Sequence, residues 1–213
     1  MATKLDNPSQ QFYKICKKCK KDSIDQDEII DELDALIKQY GVKYIDVNYQ
    51  NHLDDFAIKY IVKYVRPNVL AYIIDQFADS IDLYIIDNRE INNNIIHYMI
   101  QEMGGYQQNE AMEIIDILFE SNYQDTLNPH GLLYQYNDYQ DTPIDYCRKR
   151  KFVTLTKKLE TIKYVHIHDL LIEKCKIPYD ISHCIVGFVF VVVHATDLDK
   201  LRDKWDVMVY NKY

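Results

Sequence analysis

The residues of this chain whose types are most suited to chemistry are two cysteines and two histidines. Cys16 and Cys19 have the spacing of zinc and redox motifs, in which neighbouring thiolates bind a metal or exchange a disulfide. A zinc site needs two further ligands, and the obvious pair is His166 and His168. A redox pair needs a strand-to-helix context, which the surrounding residues do not predict. The spacing therefore leaves a small metal-binding protein as one hypothesis.

Other catalytic motifs are missing from the sequence. It contains no glycine-rich phosphate loop, no G-x-S-x-G elbow and no H-E-x-x-H motif. Carboxylate pairs such as Asp87 and Glu90 arise by chance among 33 acidic residues, so they do not indicate acid–base catalysis. We therefore predict that the protein is not an enzyme and uses no cofactor.

The composition predicts a folded, acidic protein that does not bind nucleic acid. The chain has 213 residues, 47% of them hydrophobic, enough for one large domain or a short repeat array. Its net charge of −8 disfavours nucleic acid, because that binding depends on neutralised phosphates. Two basic clusters are better explained as solvated helix faces than as phosphate sites. They comprise Lys14, Lys17, Lys18, Lys20 and Lys21, and Arg148, Lys149, Arg150 and Lys151.

The cysteines and the apolar runs predict a cytoplasmic location. The five cysteines are scattered along the chain, and we recognise no signal peptide. This pattern is typical of a cytosolic protein whose thiols stay reduced, so we predict no disulfide. The longest apolar run, 185–193, is much shorter than the ~20 residues that cross a bilayer. We therefore expect no membrane contact.

Three segments repeat the pattern of a capped helix start. In the clearest, Thr142 caps a helix, Pro143 occupies its first turn and Ile144 faces inward. Residues 94–99 repeat the pattern with Asn as the cap, and residues 54–59 keep only an acidic cap and an apolar residue. Each segment is followed by a second amphipathic stretch, so the pattern predicts three helix pairs.

A fourth, cap-like pair is predicted ahead of these three. Residues 27–40 carry an apolar stripe that ends at Gly41, a natural helix C-cap, and a shorter helix is expected near 10–20. The second helices of the other pairs are predicted at 67–77, with Leu70, Ile73, Ile74 and Phe77 facing inward, at 111–119 and at 153–163.

The segment at Thr142 resembles the T-P-L-H-x-A pattern of ankyrin repeats, and His97 falls on its histidine position. Residues 45–48 resemble the ankyrin ending G-A-D-V-N. The resemblance implies an all-α ankyrin-repeat solenoid of about four helix pairs over 1–163, in which His97 bonds backbone between repeats and Cys147 is core. Helix starts 40 and 48 residues apart exceed the ~33 of a regular repeat, so the extra length is expected in irregular finger loops.

Residues 164–213 form a separate C-terminal segment in this interpretation. After Pro178, apolar residues fall on one side of a predicted helix, and the stretch resembles the L-P-x-E-I-x-x-x-I-x-x-x-L core of F-box-like modules, including the module that closes many poxvirus ankyrin proteins. The alternative is a helical cap over the apolar end of the solenoid. Residues 190–194 are also compatible with a buried strand. The helix residues concerned are Ile181, Ile185 and Phe188.

The resemblance to ankyrin proteins of large DNA viruses implies a scaffold in the host cell cytoplasm that binds a host or cellular protein through a concave surface. A second hypothesis is a substrate adaptor that recruits a cullin-type ubiquitin ligase subunit through Pro178, Ile181, Ile185 and Phe188. The metal hypothesis is disfavoured, because an elongated stack places Cys16 and Cys19 far from the two histidines. The expected binding residues lie in the finger loops. They are Tyr49, Gln50, Asn51, His52, Arg89, Asn92, His130, Tyr134, Tyr136 and Tyr139.

Overall fold

The computed structural model of the protein describes residues 7–53, 55–85, 92–119 and 127–194, with side chains up to Gly187. Its regular elements in these ranges are all helical, and the only pairing of extended chain is an isolated bridge between Gln50 and Phe56. The predicted all-α class is therefore confirmed. The chain divides into two compact units, 1–159 and 160–213, whereas the sequence predicted a boundary after 163.

Helices of the first unit follow one another in pairs. The pairs are α1 (Pro8–Cys16) with α2 (Gln26–Tyr40), α3 (Ala57–Lys63) with α4 (Pro67–Phe77), α5 (Ile95–Glu102) with α6 (Gln108–Phe119), and α7 (Pro143–Lys149) with α8 (Val153–Glu173). Short 3-10 helices lie at Lys17–Lys20, Val42–Tyr44, Gly105–Gln107 and Pro129–Tyr134. The boundary between the units lies within α8, and the second unit also contains α9 (Tyr179–His194).

The paired helices form two rows within the first unit. The first helices of the pairs contact one another in chain order, α1 with α3, α3 with α5 and α5 with α7, and the second helices do the same from α2 to α4 to α6. Apolar side chains of both rows are buried, which stabilises the unit because their surface is removed from water. The predicted inward residues Leu70, Ile73, Ile74 and Phe77 are all buried.

The helix starts follow the predicted capping chemistry in two cases out of three. The side chain of Thr142 accepts a hydrogen bond from the backbone of Asp145, and Asn94 caps α5 in the same way. The prediction of an acidic cap for α3 is wrong, because the helix begins after Phe56, which has no capping side chain. The carboxylate of Asp55 instead forms an ion pair with Lys59.

One turn geometry joins both α3 to α4 and α7 to α8. Val65 and Lys151 have left-handed backbone with φ of 53° and 61°. The next N–H in each turn, of Arg66 or Phe152, donates to a carbonyl in the last turn of the preceding helix, at 3.0 and 3.2 Å. These bonds satisfy carbonyls that the helix end leaves unpaired, and they fix the direction in which the second helix departs.

The structure corrects the predicted end of one C-terminal helix and excludes the strand considered as an alternative for residues 190–194. α8 does not end near Lys163 but continues to Glu173, because no glycine or proline interrupts it. Residues 190–194 belong to α9 and are not a strand. The helix begins after Pro178 and continues through the apolar run, because a helix that has started extends readily and Gly187 is the only glycine in that run. None of the described helices combines the length and apolarity needed to span a membrane.

Replacing Lys151 by glycine is expected to stabilise the protein by about 0.5–1 kcal/mol, because left-handed backbone strains any side chain and Lys151 is exposed. Urea unfolding followed by circular dichroism measures the change. The matched control is Ala35→Gly on the exposed face of α2, which should cost about 1 kcal/mol. Equal destabilisation by both changes would show that the turn does not have this backbone geometry.

Candidate functional site

Two asparagines give the loops before α3 and α7 the same shape. The side-chain oxygen of Asn51 accepts hydrogen bonds from N–H groups two and four residues further on, at 2.7 and 3.1 Å. Asn137 does the same at 3.0 and 3.1 Å. In each loop the asparagine N–H also donates across the turn at 3.0 Å. Asn51, predicted as a binding residue, therefore shapes the loop with its own side chain.

Each of these loops is hydrogen-bonded to the helix pair before it. The amide of Asn51 donates to the hydroxyl of Tyr13 on α1 at 2.8 Å. The amide of Asn137, which is 2% exposed, donates to the side chain of Asn93 at 3.1 Å. Asn92 extends this second contact by donating to Asp138 at 2.6 Å. Each of the two loops is therefore held to the preceding helix pair by side-chain hydrogen bonds.

His97 makes the most buried of these contacts. Its Nε2 donates to the backbone carbonyl of Asp141 at 2.9 Å, and its Nδ1 accepts from the N–H of Asn94 at 3.4 Å. Burial lowers the pKa of His97, although the carbonyl of Asp141 opposes that effect. This is the backbone-bonding role that the resemblance implied for His97, and both ring nitrogens are occupied by structural bonds.

A charged network lies beside α1 and α3. The carboxylate of Asp55 accepts from Tyr60 at 2.5 Å and from Lys59 at 3.0 Å, and the Lys59 ammonium lies 4.7 Å from the ring centre of Tyr98. Burial raises the pKa of Asp55, but the two hydrogen bonds outweigh it and hold that pKa below its usual value. Asp141 has the corresponding position before α7 and pairs with Lys149 at 2.6 Å.

The predicted loop residues fall into an exposed set and a packed set. Tyr136 and Tyr139 are 62% and 64% exposed, and Tyr134 is 37% exposed. Gln50, His52 and Asn92 are exposed as well, and Arg89 lies outside the described residues. Tyr49 and His130 are half-buried: the Tyr49 hydroxyl accepts from Gln10 at 3.3 Å, and the His130 ring meets the Phe119 ring edge-on at 5.4 Å.

Several exposed side chains were missed in the sequence, and three of them lie in connections of the first unit. Tyr106 is 83% exposed in the turn between α5 and α6, Tyr44 is 63% exposed after α2, and Leu53 is 45% exposed in the Asn51 loop. Tyr106 directly follows Gly104 and Gly105. A pair of glycines interrupts a helix and indicates a turn, so this pair could have predicted that Tyr106 is exposed.

Burial makes the two cysteines of the C-x-x-C segment poor ligands. Cys16 and Cys19 are completely buried, and burial raises the pKa of both thiols, that of Cys19 to about 12. A protonated thiol is neither a metal ligand nor a nucleophile. Over the described part of the chain, no cluster of three or more histidine, cysteine or acidic side chains is arranged to hold a metal. All five cysteines, including the core residue Cys147, are free thiols.

α9 turns its predicted apolar face towards solvent. Ile181 and Ile185 are 50% and 40% exposed, whereas Ser182 and Val186 are buried. The hydroxyl of Ser182 donates to the carbonyl of His168 on α8 at 3.1 Å, which fixes the buried side of the helix. Pro178 is exposed just before the helix, and Phe188 lies on α9 beyond the last described side chain.

No protein-family model, curated protein or solved structure matches the chain. The assignment of function accordingly depends on the residues and contacts above. Those contacts divide the candidate residues into side chains that hold the loops together and side chains that the loops present to solvent.

Replacing His97 by glutamine is expected to flatten the pH dependence of stability. Because the pKa of His97 is lowered on folding, the neutral ring stabilises the folded protein fully above the unfolded value of about 6.5, and this contribution is lost as the pH falls towards the folded value. Glutamine keeps an N–H for the Asp141 carbonyl but does not titrate. Urea unfolding between about pH 7.5 and 5.5 compares the two proteins. Identical slopes would contradict the assigned role of the neutral ring.

Proposed function

We propose that the protein is a binding scaffold, in which about four ankyrin-like helix pairs stack as a solenoid and hold a partner protein on their loops. The two rows of helices and the shared turn at Val65 and Lys151 support this arrangement. The bond from His97 to the next loop supports it as well. Each helix pair exposes apolar surface that a neighbouring pair must cover, so stacking is the way such units become stable.

The exposed tyrosines of residues 134–139 are the main support for a binding role. Tyr136 and Tyr139 present more than half of their surface to solvent. They flank Asn137, whose side chain bonds the loop to Asn93. A tyrosine held on an ordered loop provides a large contact area and loses little entropy on binding. This is the usual character of residues that dominate the energy of an interface.

Replacing Tyr136 and Tyr139 together by alanine is expected to reduce partner capture at least about tenfold, since each side chain removed from an interface centre costs on the order of 1–2 kcal/mol. The measurement is quantitative mass spectrometry of proteins retained by the immobilised full chain from eukaryotic lysate. Both residues are exposed, so thermal stability should stay unchanged.

The matched control for this test is Tyr106→Ala, which removes an even more exposed tyrosine from the turn between α5 and α6. It should leave capture intact. A loss of the same partners from both variants, or from neither, would contradict a binding surface centred on residues 134–139.

A second candidate function is recruitment of a cullin-type ubiquitin ligase by α9. The observation in its favour is that Ile181 and Ile185 are exposed one helical turn apart, on the face that resembles an F-box-like core. Exposed aliphatic residues at this spacing suit an apolar groove on a ligase subunit. The other interpretation of the segment is a helical cap for the repeat array.

The adaptor proposal predicts that the full chain retains a ligase subunit from lysate and that Ile181→Asp with Ile185→Asp abolishes retention. Val165→Asp, at another exposed apolar position on α8, is the control and should retain the subunit. A folded wild-type chain that never retains a ligase subunit would rule out the adaptor role and leave the scaffold proposal standing.

A further inference from the structure

Charged residues of the first unit are separated between its two rows of helices. The first helices, with the 3-10 helix after α1, carry Lys14, Lys17, Lys18, Lys20, Lys59, Lys63, Arg148 and Lys149 against Glu102 and Asp145. The second helices α2, α4 and α6 carry Lys38 against Asp27, Glu28, Asp31, Glu32, Asp34, Asp75, Glu110, Glu113 and Asp116. The part of α8 that lies in this unit differs from them, because it carries Lys157 and Lys158. An acidic protein therefore has one basic row.

Both acidic residues of the first row are neutralised by neighbours. Glu102 lies 3.2 Å from the ammonium of Lys63, and Asp145 lies 3.0 Å from the guanidinium of Arg148. The basic excess of the row is concentrated at the end of α1. There Lys17 and Lys20 are exposed. Lys17 interacts with the carboxylate of Asp55, which Tyr60 and Lys59 already bind, so the local charge remains basic.

Tyrosine rings lie directly under these two ammonium groups. The Nζ atom of Lys17 is 5.6 Å from the ring centre of Tyr13 and 5.7 Å from that of Tyr60, and the Nζ atom of Lys20 is 5.2 Å from Tyr60. The ring of Tyr64 stacks on Tyr60 at 6.4 Å with an angle of 4° between planes. We call Lys17, Lys20, Tyr13, Tyr60 and Tyr64 the Lys–Tyr surface.

Contacts with helix carbonyls place further basic residues along the same edge. The guanidinium of Arg66, which follows α3, donates to the carbonyls of Cys19 and Lys21 at 3.2 and 3.1 Å, and it also lies 3.5 Å from the exposed carboxylate of Asp22. Arg150, which follows α7, donates to the carbonyl of Gln101 at the end of α5 at 3.3 Å. The carboxyl-terminal ends of α1, α3, α5 and α7 therefore adjoin one another, with Arg150 beyond the last.

A preference of cations for helix carboxyl ends explains part of this arrangement, since the last carbonyls carry partial negative charge. It does not account for two lysines over the same tyrosine stack. Their ammonium groups lie 5.7 and 5.2 Å from the ring centre of Tyr60, so they repel each other, and an anionic ligand reduces that repulsion. The rings beneath hold the lysine stems in place, which lowers the entropy lost on binding.

We propose that the Lys–Tyr surface binds an acidic polypeptide segment of the partner. Carboxylates of that segment pair with Lys17 and Lys20, and its apolar atoms pack on the half-buried ring of Tyr64. A short acidic peptide fits this surface better than a nucleic acid does. The acidic second helices repel an extended polyanion, whereas a short peptide contacts only the basic residues at the end of α1. This inference rests on the proposed scaffold function and names the partner's chemistry.

Fluorescence anisotropy of the full chain with a labelled twelve-residue peptide of alternating glutamate and leucine tests the proposal, with a glutamine–leucine peptide as the neutral probe. The acidic peptide is expected to bind, and binding should weaken as salt shortens the reach of the exposed charges. Lys17→Glu with Lys20→Glu should weaken it at least about tenfold, and Lys17→Gln with Lys20→Gln by less.

Lys38→Glu with Lys43→Glu is the matched control. It makes the same change in net charge, and Lys43 also lies over a tyrosine, at 4.8 Å from the ring centre of Tyr44. Affinity for the acidic peptide should remain within about twofold of the wild type in this control, because the Lys–Tyr surface is intact. Equal losses in both charge-reversal variants would overturn the proposal in favour of a general charge effect.

Two further outcomes also overturn the proposal. If the acidic peptide does not bind while lysate capture still depends on Tyr136 and Tyr139, the Lys–Tyr surface is not a binding site and the scaffold function survives. If a single-stranded oligonucleotide binds more tightly than the peptide and loses affinity in the Lys17→Glu, Lys20→Glu variant, the surface selects phosphates and not carboxylates. Thermal melting of each variant confirms that it is folded.

Discussion

Hydrogen bonds from each loop to the helix pair before it determine how the helix pairs of the first unit are placed. His97 reaches the carbonyl of Asp141, Asn137 reaches Asn93, and Asn51 reaches Tyr13. These groups are buried or half-buried, and a buried polar group without a partner costs about 1–3 kcal/mol. Apolar packing between helices tolerates sliding, whereas these bonds do not. The polar contacts therefore fix the register that the apolar core leaves open.

The placement of the helix pairs also explains why some tyrosines of this tyrosine-rich chain are buried and others are exposed. Tyr13, Tyr60 and Tyr98 are buried where first helices meet, and their rings support neighbouring lysines. Tyr136 and Tyr139 lie on a loop that Asn137 holds, so they remain exposed without losing their position. The same polar contacts stabilise the first unit and hold its candidate binding residues in place.

The parts of this arrangement that depend on local sequence could be predicted. Thr142, Asn94 and Gly41 were identified because capping needs only a side chain or a glycine beside its own helix. Inward faces of the second helices followed from apolar spacing in the same way.

The remaining features depend on which side chains meet in the fold, and several of those partners are distant in the sequence. Asp55 resembles a cap, but Tyr60 and Lys59 bind its carboxylate. The adjoining ends of the first helices become apparent only when Arg66 meets the carbonyl of Cys19. The basic cluster near the start of the chain was interpreted as a solvated face, because its tyrosine neighbour Tyr60 lies far along the chain.

Backbone hydrogen exchange measured by NMR tests the dependence on loop contacts most directly. The amide of Asp141 donates to the Asn137 side chain, so it should exchange slowly in the wild type. In Asn137→Ala that protection should be lost, together with protection of Asn94 in the preceding loop, while α2 and α4 keep theirs. Fast exchange at Asp141 in the wild type, or a loss confined to the mutated loop, would contradict an array held in register by its loops.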